Sequence, residues 1–457
     1  MSSLPPSIDV AIVGAGAAGI AAATRLKQAG VSALMIEARD RVGGRAHTIA
    51  AAGDVIDLGC EWLHSADKNV LVKVAEEHGF TVDKGTPGWS GPASVGLPSR
   101  DHAEYRKALE DFFDAVEEAA ASGKDRAASD LLPKNSRWEM LLRAVATYYS
   151  GTELEKISII DFDNYEDTRI NWTVREGYGA MITGAAKGLP VVFDCAVTKI
   201  DHSGKTVKLE TKQGTIEAKA AIICAPTPLI AEGAIRFDPA LPDKQAAAGG
   251  LPLGVANKIF FEIDGDFSYP RGHFYGATDR VETISFDLFP RGRKMLSGFV
   301  GGAFAVELEK GGPAAAEAEA RRQISTMLGA DANKHLRFLR TTAWRSDPFA
   351  RGGYSSALPG HASDRATLAA PAAPVSSRAT LRTRALRALA KMSRSAFERA
   401  APPAMRFRCC WRANAGCCCS LRCMRCGRRR RRQVPAGICR LRCCRWPWAC
   451  RPCSPRH

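Results

Sequence analysis

Three glycines near the beginning of the chain have the spacing of a phosphate-binding turn. Gly14, Gly16 and Gly19 form the pattern G-x-G-x-x-G between an apolar, β-branched run at residues 8–13 and a helical pattern at residues 17–28. In such a unit the first glycine permits a tight turn, the second lets a pyrophosphate approach the backbone, and the third lets the helix pack on the strand. The first amides of the helix then face the phosphates. The spacing therefore predicts a dinucleotide-binding turn.

An acidic residue follows at the distance that such a turn requires. Glu37 comes directly after a second strand pattern at residues 32–36, about 20 residues beyond the glycines. Its carboxylate is expected to accept hydrogen bonds from a ribose diol, and it disfavours a 2′-phosphate because two anions would meet. The pattern therefore argues against NADP. Ala17 and Ala18, which open the helix, and Ala38, which follows the acid, complete this part of the predicted cofactor site.

A second glycine pair lies a few residues further along the chain. The segment EARDRVGGR holds Gly43 and Gly44 between Arg39 and Arg45. It resembles the second motif of the flavoprotein amine oxidases, in which the glycine pair lets the chain pass close to the FAD phosphates. The resemblance implies that the two arginines supply positive charge there, since guanidinium groups pair well with phosphate.

Two later segments resemble the same family around the cofactor. In DLGCEWLHSADKN, Gly59 would turn the chain, and Trp62 and His64 would lie near the flavin. In VVFDCAVTKID, Val197 would contact the adenine. The resemblance thus adds Gly59, Trp62 and Val197 to the expected cofactor-binding residues.

The resemblance assigns the chemistry to three residues in two further segments. NKIFFEI contains Lys258, which in relatives holds a water beside the flavin N5. TTAWRSDPFARGGYSSALPG contains Trp344, which would pack near the flavin ring, and Tyr354, which would form one wall of an aromatic cage around the substrate amine. Members with covalent FAD carry a cysteine directly before this tyrosine. Here that residue is Gly353, so the resemblance implies non-covalent FAD.

The elements that must hold these residues belong to an α/β protein. A Rossmann-like FAD-binding domain that carries the glycine motif is expected at residues 1–68, 173–245 and 343–370. It would interleave with an α+β substrate-binding domain at residues 69–172 and 246–342. This interleaving is the amine oxidase architecture that the resemblance implies.

Hydrophobic periodicity predicts the individual elements. Apolar residues at helical spacing predict helices at residues 69–78, 102–121 and 314–328. Alternating or continuous apolar runs predict strands at residues 251–263 and within 281–299. A hairpin is expected to turn at Gln213 and Gly214, followed by a separate buried strand at residues 219–226.

Composition limits the class of protein. The 457 residues are enough for two or three domains with a large core. The sequence contains no run of about 18 apolar residues, so it predicts no membrane span. The first residues, MSSLPPSID, lack the basic and apolar stretches of a signal peptide. We therefore expect a cytoplasmic protein without a membrane segment, and we predict no metal site.

The last part of the chain has a different composition. Residues 371–457 hold 22 Lys and Arg against one acid, Glu398, and 12 of the 15 cysteines. The preceding 370 residues hold 42 basic and 47 acidic residues, a net charge of −5, whereas the whole chain carries +16. With three cysteines, this larger part suits a reducing compartment.

Four interpretations of this tail have different consequences. It could be an arginine-rich nucleic-acid arm, a zinc site at Cys423 and Cys426, which have ligand spacing, or a disulfide cluster. Its excess of Arg, Ala, Pro and Cys favours the fourth, an off-frame and disordered translation of GC-rich DNA. The family's last FAD-binding segment belongs at this place. We therefore expect the chain as written to bind FAD poorly or to misfold.

The resemblance implies an FAD-dependent amine oxidase. A primary or secondary amine would lose a hydride to the flavin N5, water would hydrolyse the imine, and dioxygen would reoxidise the flavin with release of hydrogen peroxide. The cofactor carries this redox chemistry, and the protein supplies position and electrostatics. The expected partners are therefore FAD, a small amine and O2, with no nucleic acid if the tail is off-frame.

Other activities remain open. An L-amino-acid oxidase or a tryptophan 2-monooxygenase-like enzyme would need an arginine for the substrate carboxylate, and the sequence offers Arg169, Arg175 and Arg345. The segments around Lys258 and Trp344 disfavour a carotenoid- or protoporphyrinogen-type desaturase. From a different class, an inactive or nucleic-acid-binding protein would depend on the basic tail.

Overall fold

The computed structural model describes residue 5 and residues 7–90 and 97–372 of the chain. The expectations for the tail, with its cysteine pair and its arginine run, lie outside these residues. The described part contains the following α-helices: α1 (Ala17–Gln28), α2 (Val70–Glu77), α3 (Ser99–Ala120), α4 (Glu139–Ser150), α5 (Ile159–Asp163), α6 (Tyr178–Ala185), α7 (Thr227–Ala231), α8 (Pro242–Gly249), α9 (Gly302–Leu328) and α10 (Asp364–Ala369).

The strands of the described part form two large sheets and two small ones. They are β1 (Ser7–Val13), β2 (Ala33–Ile36), β3 (Thr48–Ala51), β4 (Asp54–Asp57), β5 (Trp62–Leu63), β6 (Val82–Asp83), β7 (Trp172–Val174), β8 (Val191–Val192), β9 (Val197–Asp201), β10 (Val207–Thr211), β11 (Gly214–Ile223), β12 (Arg236–Asp238), β13 (Ala256–Ile263), β14 (Gly272–Tyr275), β15 (Ser285–Leu288), β16 (Met295–Gly301) and β17 (Leu336–Thr341).

The larger sheet has seven strands in the order β12-β9-β10-β11-β1-β2-β8. Its strand β1 pairs in parallel with β11 on one side and with β2 on the other. The apolar run at the end of β1 is buried throughout, as expected for a parallel strand that is covered on both faces. Helix α1 packs here through Ile20, Ala23 and Leu26. The predicted strand, turn, helix and second strand are confirmed, and with them the α/β class.

The hairpin of this sheet corrects one prediction. Strands β10 and β11 pair in antiparallel fashion, with Thr211 opposite Gly214, as the alternating pattern indicates. However, β11 continues without a break to Ile223, so the hairpin strand and the separate buried strand expected at residues 219–226 are one element. Its first half alternates between the two faces because it pairs with β10, and its second half is apolar because it pairs with β1.

The five-stranded sheet is antiparallel, in the order β14-β15-β16-β13-β17. Strand β13 points Ile259, Phe261 and Ile263 into a core shared with α9. The alternate residue Phe260 faces the other way and packs with Trp344. Because side chains alternate along a strand, the same opposite face also carries Lys258.

One predicted boundary in this region is wrong, because the strand expected at residues 251–263 begins only at Ala256. The helix expected at residues 314–328 is confirmed as the second part of α9, which is interrupted at Gly312 with φ +78°. The first part of α9, which begins at Gly302, was not predicted. The interruption follows from Pro313, whose ring removes a backbone donor and prevents an unbroken helix.

No helix in the described ranges is long and apolar enough to cross a membrane. The seven-stranded sheet draws on residues 7–36 and 191–238, and the five-stranded sheet on residues 256–341. The division into two interleaved domains with the boundaries given above stays a prediction.

Candidate active site

The turn after β1 is closed by backbone contacts that no side chain would tolerate. Gly14 has φ +98°, a left-handed conformation that glycine adopts readily, and its N–H donates to Ile36 O at 2.8 Å. A Cβ on Gly19 would lie 2.0 Å from Gly14 O. The helix can therefore approach the strand only without a side chain at this position.

The second glycine pair lies directly against this turn. The Gly43 N–H donates to Ala15 O at 2.9 Å, and Gly16 and Gly43 form an isolated parallel bridge. A Cβ on Gly44 would lie 3.3 Å from the α-carbon of Gly16. The structure thus joins two motifs that are separate in sequence into one surface, the glycine cradle (Gly14, Gly16, Gly19, Gly43, Gly44).

The beginning of α1 opens beside this cradle. Its N-cap residue, Gly16, has no side chain to satisfy the first amides of the helix. The first two helical residues, Ala17 and Ala18, are exposed. The first N–H groups of a helix have no intrahelical acceptor and carry the positive end of the helix dipole. This end of the helix therefore suits a pyrophosphate.

Glu37 braces the turn through its carboxylate. Oε2 accepts a hydrogen bond from the Ala15 N–H at 2.7 Å, and Oε1 accepts one from the Arg39 N–H at 2.9 Å. A carboxylate offers about four lone-pair sites, so acceptor capacity remains for a ribose diol. The ribose contact stays a prediction, and the bracing contact is a role that the sequence did not reveal.

The expected adenine side of the site lies along the backbone after Glu37. The Cys195 N–H donates to Glu37 O at 2.9 Å, so the chain that enters β9 runs beside Ala38. Val197 begins β9 and is buried in the same core cluster as Cys195. The contact between Val197 and an adenine stays a prediction.

The two arginines of the second motif are engaged with protein groups. Arg39 Nη2 lies 2.5 Å from Asp347 Oδ1, and the guanidinium lies over the Phe349 ring. Arg45 donates to the carbonyl of Gly353, and burial lowers the pKa of its guanidinium. Both arginines therefore tie the glycine cradle to one later segment of the chain. The phosphate contacts stay a prediction, and Asp347 offsets part of the charge that Arg39 would bring to them.

Gly59 and Trp344 connect the cradle to β13. A Cβ on Gly59 would lie 1.8 Å from Arg45 O and 3.0 Å from Trp344 Cζ2. Trp344 is buried, donates from Nε1 to Leu58 O at 3.0 Å, and packs against Phe260 of β13. The contact of Trp344 with the flavin ring is untested.

Lys258 is paired with a carboxylate that the sequence analysis did not single out. Its Nζ lies 2.6 Å from Glu61 Oε2 and 2.9 Å from Asp57 O, and the residue is 8% exposed. The other oxygen of Glu61 lies 3.0 Å from Arg291 Nη2. We call these three residues (Glu61, Lys258, Arg291) the lysine cluster.

The lysine cluster sets the charge of its carboxylate. Burial alone would raise the pKa of Glu61, but the cations of Lys258 and Arg291 outweigh burial and hold it at about 2. Asp287 lies nearby on β15, and its carboxylate makes no hydrogen bond or ion pair with any described residue. Burial, helped by the Glu61 charge, raises the pKa of Asp287 to about 7. One carboxylate thus stays ionised, while its neighbour titrates near neutral pH.

Tyr354 and Cys60 line an internal space beside this cluster. Tyr354 is 39% exposed and Cys60 is also exposed, yet burial raises the pKa of both side chains. The Cys60 thiol and the Glu61 carboxylate also contribute to the raised pKa of Tyr354, so the three side chains lie close together. We call the accessible region that they border the central cavity (Cys60, Glu61, Tyr354).

Trp62 and His64 follow directly in the chain. The Trp62 ring meets the Trp89 ring edge to face, with 4.4 Å between centroids. His64 Nδ1 lies 2.7 Å from Asn171 Oδ1 and the residue is exposed. Their contacts with a flavin stay a prediction.

Three residues of the site were missed from the sequence. Glu61 could have been found, because it is an isolated charge between the apolar pairs of LGCEWL. Arg291 and Asp287 gave no such signal, since they come from a polar turn and an ordinary alternating strand.

A flavin dinucleotide fits the residues present. The glycine cradle leaves a surface that any Cβ would fill, and accessible but desolvated side chains continue from it toward Lys258. Fold and site together are typical of an oxidoreductase with a nucleotide cofactor. The family model described as flavin containing amine oxidoreductase matches residues 17–145 and 101–376. The chain therefore belongs to this family of flavin-dependent enzymes that act on CH–NH bonds.

Named relatives agree with this assignment. Polyamine oxidase 2 of Arabidopsis thaliana is 29% identical over 406 residues, which cover 78% of this chain and 80% of the relative. A putative flavin-containing monoamine oxidase of Mycobacterium tuberculosis is 27% identical over 405 residues, with 78% and 87% covered. The structure of wild-type putrescine oxidase bound to putrescine matches with a TM-score of 0.66 at 19% identity, covering 87% of this chain and 100% of that one. At this identity the structural match shows the fold.

Proposed function

We propose that this protein is an FAD-dependent amine oxidase that acts on a primary or secondary amine. The observation that supports the proposal best is that one short segment, residues 59–61, contacts both the glycine cradle region and Lys258. Gly59 packs on Arg45, and two residues later Glu61 contacts Lys258. A cofactor on the glycine cradle and a substrate beside Lys258 would therefore share the central cavity.

The residues of the cavity would position the reactants. When bound, FAD would take a hydride from the carbon next to the substrate nitrogen and pass the electrons to O2, giving hydrogen peroxide. Tyr354 would form one wall of the amine site. Lys258 would hold a water through the N–H that its two protein acceptors leave free. Water would hydrolyse the imine to an aldehyde or ketone and, from a primary amine, ammonia.

The substrate we propose is an aliphatic amine. The relatives named as polyamine oxidase and putrescine oxidase support this class. We also propose that FAD is held without a covalent bond, because Gly353 offers no thiol, and that the protein is cytoplasmic.

An amino-acid substrate is less well supported. Arg345 is exposed and donates to the Arg351 carbonyl, and Arg169 and Arg175 make no contact with Lys258. Arg291, the arginine of the lysine cluster, has its charge paired with Glu61. Within the described residues, no arginine with an unpaired charge lies at Lys258 to receive a substrate carboxylate. A nucleic-acid role would depend on the tail, which is outside these residues.

The first test uses the full-length protein. A full-length protein that purifies with a flavin absorbance spectrum and releases hydrogen peroxide from putrescine, spermidine or butylamine, but not from L-leucine or L-phenylalanine, would support the proposal. The same result would contradict the expectation that the chain as written binds FAD poorly. Yellow colour should leave the protein on acid precipitation. Colour retained in the pellet would contradict non-covalent FAD, and activity confined to the amino acids would contradict the proposed substrate class. A soluble, colourless protein would support the expectation that the chain as written has lost its flavin.

Lys258→Met tests the proposed role of the lysine. We expect flavin reduction by amine and reoxidation by O2 to slow by about 100-fold or more, while FAD stays bound. Stopped-flow absorbance measures both steps. Lys208→Met, at an exposed lysine on β10, is the matched control and should leave both rate constants unchanged. Equal rate constants in the Lys258 variant and the native protein would remove this lysine from the mechanism.

A further inference from the structure

We propose that Glu61 is a positioning residue, which orients the ammonium of Lys258 for the reaction. The inference rests on the amine oxidase function proposed above. Three parts of the chain take part: Glu61 directly before β5, Lys258 on β13, and the turn between β15 and β16 that carries Arg291.

The contacts of Lys258 leave one donor free. A lysine ammonium has three N–H donors. One faces Glu61 Oε2 at 2.6 Å and a second faces Asp57 O at 2.9 Å. Since two acceptors at fixed positions determine the rotation of the group, the direction of the third N–H is also determined. This remaining donor is the one available to a water or substrate in the central cavity.

The backbone around Lys258 cannot supply this orientation by itself. The Lys258 N–H donates to Thr342 Oγ1 at 2.8 Å, and the Lys258 carbonyl accepts a hydrogen bond from the Thr342 N–H at 2.9 Å. These bonds fix the α-carbon. However, four flexible side-chain bonds separate it from Nζ, so the end of the side chain needs partners of its own. Glu61 is the charged partner.

Glu61 is itself held on its second oxygen. Arg291 Nη2 lies 3.0 Å from Glu61 Oε1, and the buried Nε and Nη1 of Arg291 have no hydrogen-bond partner among the described residues. Arg291 and Phe289 have positive φ angles of 56° and 52°, a conformation that residues other than glycine rarely adopt. Such a backbone persists where surrounding contacts hold it. The strained turn is therefore consistent with a need to bring Arg291 to Glu61.

A neighbouring ion pair holds the same turn without touching the lysine. Arg293 Nε lies 3.1 Å from Asp54 Oδ2, and Arg293 Nη1 donates to Val55 O at 2.8 Å. This pair provides a matched control. Loss of Asp54 weakens the turn alone, whereas loss of Glu61 weakens the turn and frees the lysine.

The experiment compares Glu61→Gln, Glu61→Asp and Asp54→Asn in the full-length, FAD-loaded protein. Flavin reduced with dithionite is mixed with O2 and its reoxidation is followed by absorbance, so no amine is needed. Reduction by putrescine is measured separately. Both are recorded as pH profiles, because several charged or titratable groups face Glu61: Asp57, Lys258, Asp287, Arg291, Arg293 and Tyr354.

We expect Glu61→Gln to slow reoxidation by about tenfold or more and to displace its pH profile, with partial recovery in Glu61→Asp. Asp54→Asn should change the rate constant by less than about twofold. In the Lys258→Met background, Glu61→Gln should have no further effect on the rate. Equal effects of Glu61→Gln with and without the lysine would overturn the proposal, as would an Asp54→Asn effect as large as that of Glu61→Gln.

A second readout does not depend on flavin turnover. After FAD is removed, Glu61→Gln should lower the midpoint of thermal unfolding by several degrees, and by less in the Lys258→Met background, because the unpaired cation is then absent. Additive midpoint shifts would contradict direct coupling of the two side chains. If no amine reduces the flavin but the reoxidation and unfolding results hold, the proposed substrate fails and the positioning role stands.

Discussion

The glycine cradle and the lysine cluster are built in different ways. In the cradle, backbone faces backbone: a Cβ on Gly19 would lie 2.0 Å from Gly14 O, and the Gly43 N–H donates to Ala15 O. In the lysine cluster, long side chains reach across the molecule, and Glu61 joins Lys258 to Arg291 through both of its oxygens. The first region is defined by absent side chains and the second by one carboxylate that pairs with two cations.

This difference predicts how each region responds to change. A cradle of close backbone contacts has no freedom to adjust, so a single methyl group should be damaging. A cluster of ion pairs can lose a neighbour and retain its fold, but its electrostatics and its response to pH should change.

The largest effect is expected at the cradle. Gly19→Ala should lower the free energy of unfolding by about 3 kcal/mol or more and abolish flavin binding, because the methyl group would overlap a backbone carbonyl. Thermal unfolding and flavin absorbance measure both. Gly249→Ala, at the end of α8 with no atom within 4 Å of the new Cβ, is the control and should be neutral or slightly stabilising. Similar midpoints for the two variants would contradict the rigid cradle.

An intermediate effect, and one that depends on pH, is expected at Asp287. Its pKa is raised from 3.8 to about 7, so the folded state binds a proton more tightly than the unfolded state does. Stability from this group is fully present below pH 3.8 and is lost as pH rises to about 7. Asp287→Asn should therefore match the native protein at pH 4 and be more stable by up to about 4 kcal/mol at pH 8. Thermal unfolding measured from pH 4 to pH 8 checks the sign of this stability change. A variant less stable than the native protein at pH 8 would contradict the prediction.

The smallest effect is expected where the cradle meets the segment of Tyr354. Burial raises the pKa of Asp347, but its pair with Arg39 outweighs burial and lowers it below 3.8. The stability from this pair is present above pH 3.8 and is lost as pH falls through the lowered pKa. Asp347→Asn should lower the free energy of unfolding by about 1 kcal/mol at pH 7, because both side chains are partly accessible. Chemical denaturation at pH 7 and pH 2.5 should show the difference only at the higher pH.

The same contrast explains what could be predicted from the sequence. The first cradle motif and its strand, helix and second strand lie within residues 7–37, so spacing alone revealed them. The sequence did not reveal that β11 is a single strand. Its pattern changes from alternating to apolar because the strand has two different neighbours, and such a change is typical of two separate strands. Glu61 and Arg291 are 230 positions apart, and no local pattern links them. Tertiary packing alone brings such a pair together.

The two sides of the lysine cluster lie on elements that are paired to different extents. Strand β13 is hydrogen-bonded on both edges, to β16 and to β17. Glu61, by contrast, precedes β5, a strand of two residues in a small sheet. Backbone amides in doubly paired strands exchange with solvent only on extensive unfolding, whereas short edge elements open locally. Any transient separation of the Glu61–Lys258 pair must therefore begin with opening of the chain around Glu61, while the lysine stays in place.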